Sequence, residues 1–540
     1  MKLDKLWISD FKNLKSFSMD FDERSPITVI IGWNGTGKSN LLEALVIIFR
    51  DLDLNRPTKF AYKMEYICNG AHIKIDQDPK RHGRERLKTE ITLLKLQLEP
   101  TNNEEREIFI PSHVFGYYSG PSERFKEHFI DHQRRYYDAI LNAKTADTKK
   151  LRELRSLRRL FYAETHHSKY VLLAFFFKKD KKVTEFLEKY LRIVGLESVL
   201  FVMKKPGWAK TNQHLWGARG LVRKFLDRLY NISLAPMKLK QRVPTSVKRS
   251  KTEEFYYLFV KDNEALTELA SEYITQSDFF ASLESTDLSE VIYDLQVKVK
   301  IRNYDGTLTF RELSEGEQQL LMVLGLLRFT KEKESLILLD EPDTHLNPFW
   351  STEYLELLNQ IVEEEGADGN GLEHQDRHII MATHDPIVIA GLEREQIQIF
   401  KRDPESDQCY AEIPERSPKG MGFEGILTSD MFGFRSALDK PTLELFDRKR
   451  RLAIKKKLTK EEKKELENIS DKLGKLDFSN VVRDEYYKLF VQSMAEFEEQ
   501  EGISGQLLKP KEIALRKERA KEIAAKLHTR KKTRKDAIHQ

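Results

Sequence analysis

The residues with the clearest chemical meaning form a glycine-rich segment, GWNGTGKS, at positions 32–39. It fits the pattern G-x-x-x-x-G-K-[ST] and stands between an apolar run typical of a strand and an amphipathic run typical of a helix. Backbone N–H groups of such a loop bind phosphate oxygens, the lysine balances their charge, and the last hydroxyl binds Mg²⁺. We therefore predict a nucleoside triphosphate site, with Ser39 also a metal ligand. The predicted phosphate-binding residues are Asn34, Gly35, Thr36, Gly37, Lys38, Ser39 and Asn40.

A pair of acidic residues, Asp340 and Glu341, directly follows the apolar run SLILL. A carboxylate at the C-terminal end of a buried strand can hold Mg²⁺ next to a phosphate-binding loop, so Asp340 is predicted to be a metal ligand. The neighbouring Glu341 is then free to orient and polarise the attacking water. One acid on the metal side and one on the water side predict a hydrolase.

The segment LSEGEQQ, residues 313–319, comes shortly before that strand. Its serine and glycine stand where a helix begins, and a helix N-terminus attracts a phosphate group. With the motifs in this order, the sequence resembles the ABC-type ATPases and, among them, the RecF/SMC-like branch. The resemblance covers residues 1 to about 120 and 303–403. It implies an ATP-hydrolysing enzyme that uses ATP and Mg²⁺.

The same resemblance implies roles for residues that the loop and the acidic pair do not explain. Asp343, in EPDTHLNP, matches the segment that lies at the dimer seam in the family, and His384, in MATHDP, matches the histidine that contacts the γ-phosphate. We therefore predict an ATP-sandwiched homodimer, or a larger oligomer built from it, with Glu341 and His384 as catalytic residues. The residues expected to bind the ATP of the opposite subunit are Ser314, Gly316 and Glu317.

Two segments depart from the family pattern. The segment VFGYYSGPSERF, residues 114–125, lacks the glutamine that the family usually carries there, and Ser119 or a water molecule is its expected replacement. At the N-terminus, FKNL stands where relatives have a basic residue that touches the nucleotide. Lys12 and Asn13 are therefore candidate nucleotide contacts, and an ordinary surface position is the equal alternative for both.

The composition is that of a water-soluble globular protein. The chain has 540 residues, of which 40% are hydrophobic and 33% are charged, so it can bury a sizeable core in two or three domains. Its two cysteines, Cys68 and Cys409, have no metal-like spacing and fit a reducing compartment. The first residues lack a signal pattern, and no apolar run approaches the roughly 20 residues that a membrane helix needs. We expect a cytoplasmic protein with no membrane contact.

Strand-like and helix-like runs predict an α/β fold: a P-loop ABC-type ATPase fold that is split by a helical insertion and followed by a helical C-terminal region. Asn69-Gly70 predicts a hairpin turn, and Thr459 with Glu462 predicts the start of a helix. The expected domains are 1–121 for the first half of the ATPase domain, 122–302 for the mainly helical insertion, 303–403 for the second half, 404–505 for the helical C-terminal region and 506–540 for a basic tail.

Basic charge is concentrated on two segments of an otherwise acidic chain. Residues 204–251 carry thirteen Lys and Arg against one acid, and residues 509–540 carry twelve against four, whereas the whole chain has a net charge of only +5. This segregation favours a polyanionic partner such as nucleic acid. The alternative is that the first segment neutralises the acidic stretch after residue 252 or a partner protein. The candidate nucleic-acid contacts are Lys204, Lys205, Lys210, Arg219, Arg223 and Lys224.

The sequence contains no recognisable nuclease motif. Residues 404–540 lack the strand-borne Glu and D-x-D of a TOPRIM nuclease, and the 14 histidines include no H-x-H or HNH-like cluster. We therefore expect any nucleic-acid cleavage to come from another chain.

Longer phrases of the sequence, such as LWGARGLVRKFLDRLY and FGFRSALDKPTLELFDRKRRLA, resemble the defence ATPases called PtuA in Septu-type and retron-linked systems. That resemblance implies an anti-phage role and an HNH nuclease partner of the PtuB kind. In the retron-linked form it also implies a reverse transcriptase with its DNA and RNA. Two alternatives stay open. One is a RecF/SMC-like DNA-repair ATPase, which the absence of long heptad runs weakens. The other is the ATPase subunit of an ABC transporter, which the missing glutamine and the basic insertion weaken.

Overall fold

The computed structural model describes residues 1–22, 24–93, 109–142, 159–178, 180–209, 213–246, 249–303, 307–329, 334–363, 377–455, 457–476, 485–503, 508 and 510–536. The strands are β1 Lys2–Phe11, β2 Leu14–Asp20, β3 Ile27–Gly32, β4 Tyr62–Cys68, β5 Ala71–Gln77, β6 Leu87–Leu93, β7 His113–Tyr118, β8 Leu160–Tyr162, β9 Ile193–Lys204, β10 Met237–Ser246, β11 Arg249–Val260, β12 Ile292–Ile301, β13 Thr307–Thr309, β14 Ser335–Asp340, β15 Arg377–Ala382, β16 Ile397–Arg402 and β17 Cys409–Glu412.

The helices, short 3₁₀ turns aside, are α1 Lys38–Asp53, α2 Ile130–Asn142, α3 His167–Phe177, α4 Lys181–Tyr190, α5 Gly220–Ile232, α6 Asn263–Ala270, α7 Gln276–Leu288, α8 Glu315–Phe329, α9 Pro348–Glu363, α10 Gly422–Thr428, α11 Lys440–Ile454, α12 Lys460–Gly474, α13 Glu485–Gln500 and α14 Pro510–Asp536. They belong to two compact units. The first unit comprises Met1–Val388 and Glu395–Ile413, and the second comprises Ile389–Arg394 and Pro414–Gln540.

A central seven-stranded sheet of the first unit carries the nucleotide motifs. Its strand order is β17-β16-β3-β15-β14-β7-β8, and its strands are parallel except for β17. Every residue of β14 and β15 is buried, as expected for parallel strands covered on both faces. Strand β15 lies between β3 and β14. The glycine-rich loop and the acidic pair therefore lie at the C-terminal ends of two parallel strands that are not adjacent. The predicted α/β fold class is confirmed.

A second, antiparallel sheet in the order β2-β1-β4-β5-β6 covers helix α1. The Asn69-Gly70 turn joins β4 to β5, and both residues have positive φ angles (48° and 72°), as a tight hairpin turn requires. The predicted hairpin is confirmed. Apolar side chains of α1 and of this sheet share one buried cluster with residues of β14 and β15, so the loop that precedes α1 rests on a continuous core.

The insertion differs from the mainly helical segment that we expected at 122–302. Besides helices α2 to α7, it contains an antiparallel sheet in the order β10-β11-β9-β12-β13, with β13 at 307–309. In β12, Leu295, Val297 and Val299 are buried and alternate with exposed residues. This two-residue period is that of a strand with one face in solvent. Because charged residues occupy alternate positions, the sequence resembles that of a charged helix.

Helix α8 packs directly against the insertion. A Cβ atom on Gly325 of α8 would lie 2.0 Å from the Val171 side chain of α3, so the two helices are in close contact. The ring of Phe329 lies 5.4 Å from that of Phe175 and 5.2 Å from that of Phe280, between ring centroids. Helix α8, which begins at the LSEGE segment, therefore packs tightly against helices α3 and α7 of the insertion.

The second unit is helical over its described residues. The Thr459 side chain accepts a hydrogen bond from the backbone of Glu462, whose carboxylate accepts one from the Thr459 N–H, so the predicted helix start of α12 is confirmed. Leu452, Ile469 and Leu473 form a small buried cluster between α11 and α12. Among the described residues of the whole chain, no helix is both long enough and apolar enough to cross a membrane.

Candidate nucleotide-binding site

The glycine-rich loop connects β3 to α1 and is shaped by three glycines. Gly32, Gly35 and Gly37 have φ angles of 150°, 83° and 104°, and α1 begins at Lys38. A Cβ atom on Gly37 would lie 2.9 Å from the Asn13 amide oxygen, so glycine is required there both for its conformation and for space. The loop therefore ends at the N-terminus of α1, where a phosphate group is favoured.

Lys38 is held inside this loop. Its Nζ donates a hydrogen bond to the Gly32 carbonyl at 2.6 Å and lies 3.4 Å from the Trp33 carbonyl. Burial lowers the pKa of Lys38, while the charges of Glu341 and Asp340 oppose that change. The ammonium thus occupies the mouth of the loop with only carbonyl partners, which a phosphate group can replace.

Asn13 and Lys12, the two N-terminal candidates, both contact the elements of the loop. The Asn13 amide donates to the Gly35 carbonyl at 2.9 Å, and its oxygen accepts from the Asn40 amide at 2.6 Å. Lys12 forms an ion pair with the buried Glu43 of α1. Asn13 therefore fixes the loop conformation, whereas the Lys12 ammonium is already neutralised at the side of α1. Their predicted contact with nucleotide stays a prediction.

The Asp340 carboxylate is buried without a hydrogen-bond partner. Its side chain lies at the end of β14, its residue is only 1% exposed, and neither oxygen makes a hydrogen bond of normal geometry. Burial raises the pKa of Asp340 to about 6, against the opposing effects of the Ser39 hydroxyl and of the Arg124 and Lys38 charges. A buried acceptor left unsatisfied is costly, and a Mg²⁺ ion with its water shell removes that cost.

Glu341 has a strained backbone that turns its side chain toward solvent. Its φ is 51°, a left-handed conformation rarely adopted by residues with a side chain, and its N–H donates to the Ala382 carbonyl at 2.8 Å. Its carboxylate Oε1 lies 3.2 Å from Nδ1 of His384. The structure thus brings together the two predicted catalytic residues, with both side chains open to solvent and able to reach a water molecule.

Asp343 is buried inside its own chain. Its Oδ2 accepts a hydrogen bond from the Thr383 hydroxyl at 2.5 Å, and burial raises its pKa to about 6. This contact ties the segment after β14 to the end of β15. The expected position of Asp343 at a dimer seam stays a prediction, and its carboxylate has a role within the subunit that the sequence did not reveal.

The LSEGE segment forms a regular helix start. The backbone N–H and hydroxyl of Ser314 both donate to the Glu317 carboxylate, at 2.7 and 2.9 Å, and the Glu317 N–H lies 3.3 Å from the Ser314 hydroxyl. A Cβ atom on Gly316 would lie 2.3 Å from the His345 carbonyl, so this glycine permits close packing of α8 on the segment after β14. Ser314 itself is exposed and available to a ligand of another subunit.

The segment that lacks the family glutamine still reaches the site. The Ser119 N–H donates to the Asp340 carbonyl at 3.2 Å, and its hydroxyl lies 3.5 Å from that of Thr344. Sequence reasoning missed Arg124, whose guanidinium lies 3.5 Å from the Asn40 amide oxygen and 3.9 Å from the Glu43 carboxylate. The sequence signal for Arg124 was that it is the single arginine in residues 114–125, the segment in which the family usually carries a glutamine.

The candidate nucleic-acid contacts of the insertion are partly neutralised. Lys204 pairs with Glu253 at 3.7 Å, Lys224 pairs with Glu272 at 2.6 Å, and Arg223 pairs with Asp227. These contacts support the alternative that basic side chains of this segment balance acidic ones of the same chain. Lys205 is half-buried and Arg219 is exposed. Lys210 lies outside the described residues.

The residues present fit Mg²⁺ and ATP. The unsatisfied Asp340 oxygens and the Ser39 hydroxyl supply the hard oxygen ligands that Mg²⁺ prefers. The loop N–H groups and Lys38 supply the phosphate contacts. Glu341 and His384 face the solvent beside them. This arrangement can hold a metal-bound triphosphate and activate water next to it.

Comparison with known proteins agrees with this chemistry. A family model described as the AAA ATPase domain matches residues 1–389. The Septu protein PtuA of Bacillus mycoides (strain KBAB4) is 28% identical over 207 residues, which are 36% of this chain and 27% of that protein. The DNA replication and repair protein RecF of Caldanaerobacter subterraneus subsp. tengcongensis is 28% identical over 153 residues, which are 26% of this chain and 39% of that protein.

The chain thus aligns with well under half the length of the curated relatives it matches. Among solved structures, a crystal structure of the SmcHead bound to the C-winged helix domain of ScpA has a TM-score of 0.32 and 12% identity. The structural match covers 76% of this chain and 98% of the SmcHead chain. The predicted resemblance to PtuA and to RecF is confirmed by these sequence matches.

The buried carboxylate makes a prediction about stability and pH. Because the folded-state pKa of Asp340 is raised from 3.8 to about 6, wild-type protein loses stability as pH rises through that interval. Replacing Asp340 by Asn removes this loss, so D340N without nucleotide should unfold at a higher temperature than wild type at pH 7.5. The gain should be on the order of 1–3 kcal/mol and should shrink toward pH 4.

Thermal unfolding of wild type, D340N and the matched control D10N, at pH 4 and pH 7.5, measures this effect. Asp10 is exposed, so D10N should unfold like wild type at both pH values. A D340N protein that is less stable than wild type at pH 7.5 would show that the ionised carboxylate is well satisfied in the fold.

Proposed function

Because the chain belongs to the AAA ATPase domain family, we propose that it binds and hydrolyses Mg·ATP between two copies of itself and thereby controls a separate nuclease in an antiviral defence complex. The buried, unpartnered Asp340 carboxylate at the mouth of a phosphate-binding loop carries the first part of this proposal. The second part is supported by the similarity to PtuA and by the absence of a nuclease motif in the sequence.

The chain's own residues bind the substrate in three ways. Backbone N–H groups of residues 34–39 donate hydrogen bonds to the phosphate oxygens at the start of α1. Lys38 exchanges its carbonyl partners for the β- and γ-phosphates. Ser39 and Asp340 would hold Mg²⁺, which would neutralise the charge that develops on the β- and γ-phosphates. Asn13 keeps Gly35 and Asn40 in the geometry that this binding needs.

Glu341 is the residue that activates the attacking water. Its carboxylate directly follows Asp340 in the chain and is partly open to solvent, and His384 at 3.2 Å orients it. The strained backbone of Glu341 is held by hydrogen bonds on both sides, from its own N–H to Ala382 and from the Thr344 hydroxyl to its carbonyl. Arg124 adds a positive charge near Asn40, where phosphate charge accumulates, and is a positioning residue in place of the missing glutamine.

The site is completed by a second copy of the chain. Ser314 makes only local contacts in its own helix start, and its exposed position leaves it available to the γ-phosphate of a partner's ATP. An isologous dimer places each LSEGE helix over the partner's loop and buries two ATP molecules. Helices α3 and α7 of the insertion, packed on α8, then move with dimer closure.

The RecF match favours a second candidate, a DNA-repair ATPase. The longest described helix is α14, with 27 residues, so the described part of the chain has no extended coiled coil of the SMC kind. The two candidates differ in partner. A neighbouring HNH reading frame supports the defence role, whereas neighbouring recombination genes support repair.

Replacing Glu341 by Gln should trap ATP. The change keeps the shape of the site but removes the carboxylate that polarises water, so turnover should fall by about 10²–10⁴ while ATP binding persists. The measurement is phosphate release together with the ATP that remains bound after gel filtration. E405Q, which removes an exposed carboxylate after β16, is the matched control and should turn over normally. Unchanged turnover of E341Q would exclude Glu341 as the base.

Mixing two inactive variants should restore activity. K38A cannot hold phosphate, and S314R blocks closure over the partner's ATP, so each variant alone should be inactive. In a mixed dimer one of the two sites has an intact loop and an intact LSEGE segment. If the chains exchange freely, the mixture should show about a quarter of wild-type turnover. No recovery after exchange by mild dilution and concentration would argue against a site shared between chains.

The nuclease partner is tested by co-expression with an HNH protein encoded beside this chain. Wild type, K38A and E341Q should all co-purify with it, because each substitution changes a single side chain at the ATP site. The E341Q complex keeps ATP bound, whereas the K38A complex cannot hold it. The two complexes should therefore cleave DNA at different rates. Failure of all three to co-purify, or equal cleavage by the K38A and E341Q complexes, would contradict control by ATP.

A further inference from the structure

The hairpin of the insertion sheet extends beyond the sheet itself. Strand β11 pairs with β9 only from Phe255 to Val260, whereas its pairing with β10 continues from Lys240↔Glu254 to Ser246↔Arg249. Strand β10 is an edge strand, so these outer residues form a two-stranded ribbon with no third strand. We define residues 240–246 and 249–252 as the basic ribbon.

The basic ribbon has no apolar face to bury. Its described residues are exposed, apart from the half-buried Val243, on both sides of the two strands. An isolated two-stranded hairpin is only marginally stable in water, so this projection adds little to the core. Its described residues include four basic ones and no acid: Lys240, Arg242, Arg249 and Lys251.

Two acidic residues at the base of the ribbon pair with neighbouring lysines. Glu253 pairs with Lys204 and with Lys251, and Glu254 pairs with Lys238 at 2.9 Å. Among the described residues, Lys240 and Arg242 form no ion pair and stand two positions apart on one face of β10. They differ in this respect from Lys224 and Arg223, which are paired within the chain.

Protection of an open sheet edge is the competing explanation. Lysines and a proline on an edge strand prevent pairing with other chains, and Pro244 lies on β10 two positions after Arg242. That role needs charge but no ligand, so it predicts no change in nucleic-acid binding when the charges are reversed.

We propose that the basic ribbon docks in the major groove of double-stranded DNA. Two strands about 4.8 Å apart, with basic side chains on both sides, match a groove about 12 Å wide. The major groove of duplex RNA is too narrow for side chains to enter. Binding of single strands depends on aromatic stacking, and residues 240–252 contain no aromatic residue. This docking is independent of the ATP site and needs no nucleotide.

The test is nucleotide-free binding of a fluorescent random-sequence DNA duplex at several salt concentrations. K240E/R242E should bind at least about tenfold more weakly than wild type. Its slope of log K against log salt should be smaller by about 1.8, since each lost phosphate contact removes about 0.9. The matched control K15E/K63E reverses two exposed lysines on another antiparallel sheet and should bind like wild type.

Two further measurements separate docking from its alternatives. The melting temperature of K240E/R242E should equal that of wild type, because both side chains are exposed, and K240R/R242K should retain binding. The proposal is overturned by wild-type affinity and slope in K240E/R242E or by an equal loss in K15E/K63E. It is also overturned by stronger ribbon-dependent binding of single-stranded DNA or duplex RNA than of duplex DNA. Loss of the nuclease partner with intact DNA binding would assign the ribbon to an acidic protein surface.

Discussion

Three parallel strands, β3, β14 and β15, end at one edge of the central sheet, and a buried carboxylate is fixed there without a partner. Burial of Asp340 is expensive as long as its oxygens are unsatisfied. The surrounding structure maintains it nevertheless, through continuous parallel pairing of β14 with β15 and with β7. The unsatisfied carboxylate lowers the stability of the fold, and binding of a metal-bound triphosphate completes the arrangement.

Neighbouring features depend on the same edge. The left-handed turn at Glu341 directs its carboxylate outward while its backbone stays bonded to β15. Thr383, at the end of β15, holds Asp343 and thereby the segment on which Gly316 packs. The strand ends, the segment after β14, helix α8 and helices α3 and α7 of the insertion are therefore joined by continuous packing contacts.

The features predictable from the sequence were those with a strong local pattern. The apolar run before Asp340 forms strand β14, and a helix begins directly after Ser314 as expected, because each pattern is set by neighbouring residues. The insertion sheet was missed because alternating charges hid its period. Arg124 and the ion pairs of Lys204 and Lys224 were missed because their partners lie far away in sequence. Pairing between distant residues is decided by the fold.

The central claim is that the site is shared between two copies of the chain, and a thiol cross-link tests it most directly. Cys68 and Cys409 are buried, so cysteines introduced at the exposed positions Asn34 and Ser314, in separate chains, would be the reactive ones. The two single variants are mixed and treated with a short bifunctional thiol reagent. The account predicts a cross-linked dimer that requires both variants and a slowly hydrolysed ATP analogue with Mg²⁺. Cross-linking that is absent with the analogue, or equally strong without nucleotide, would contradict it.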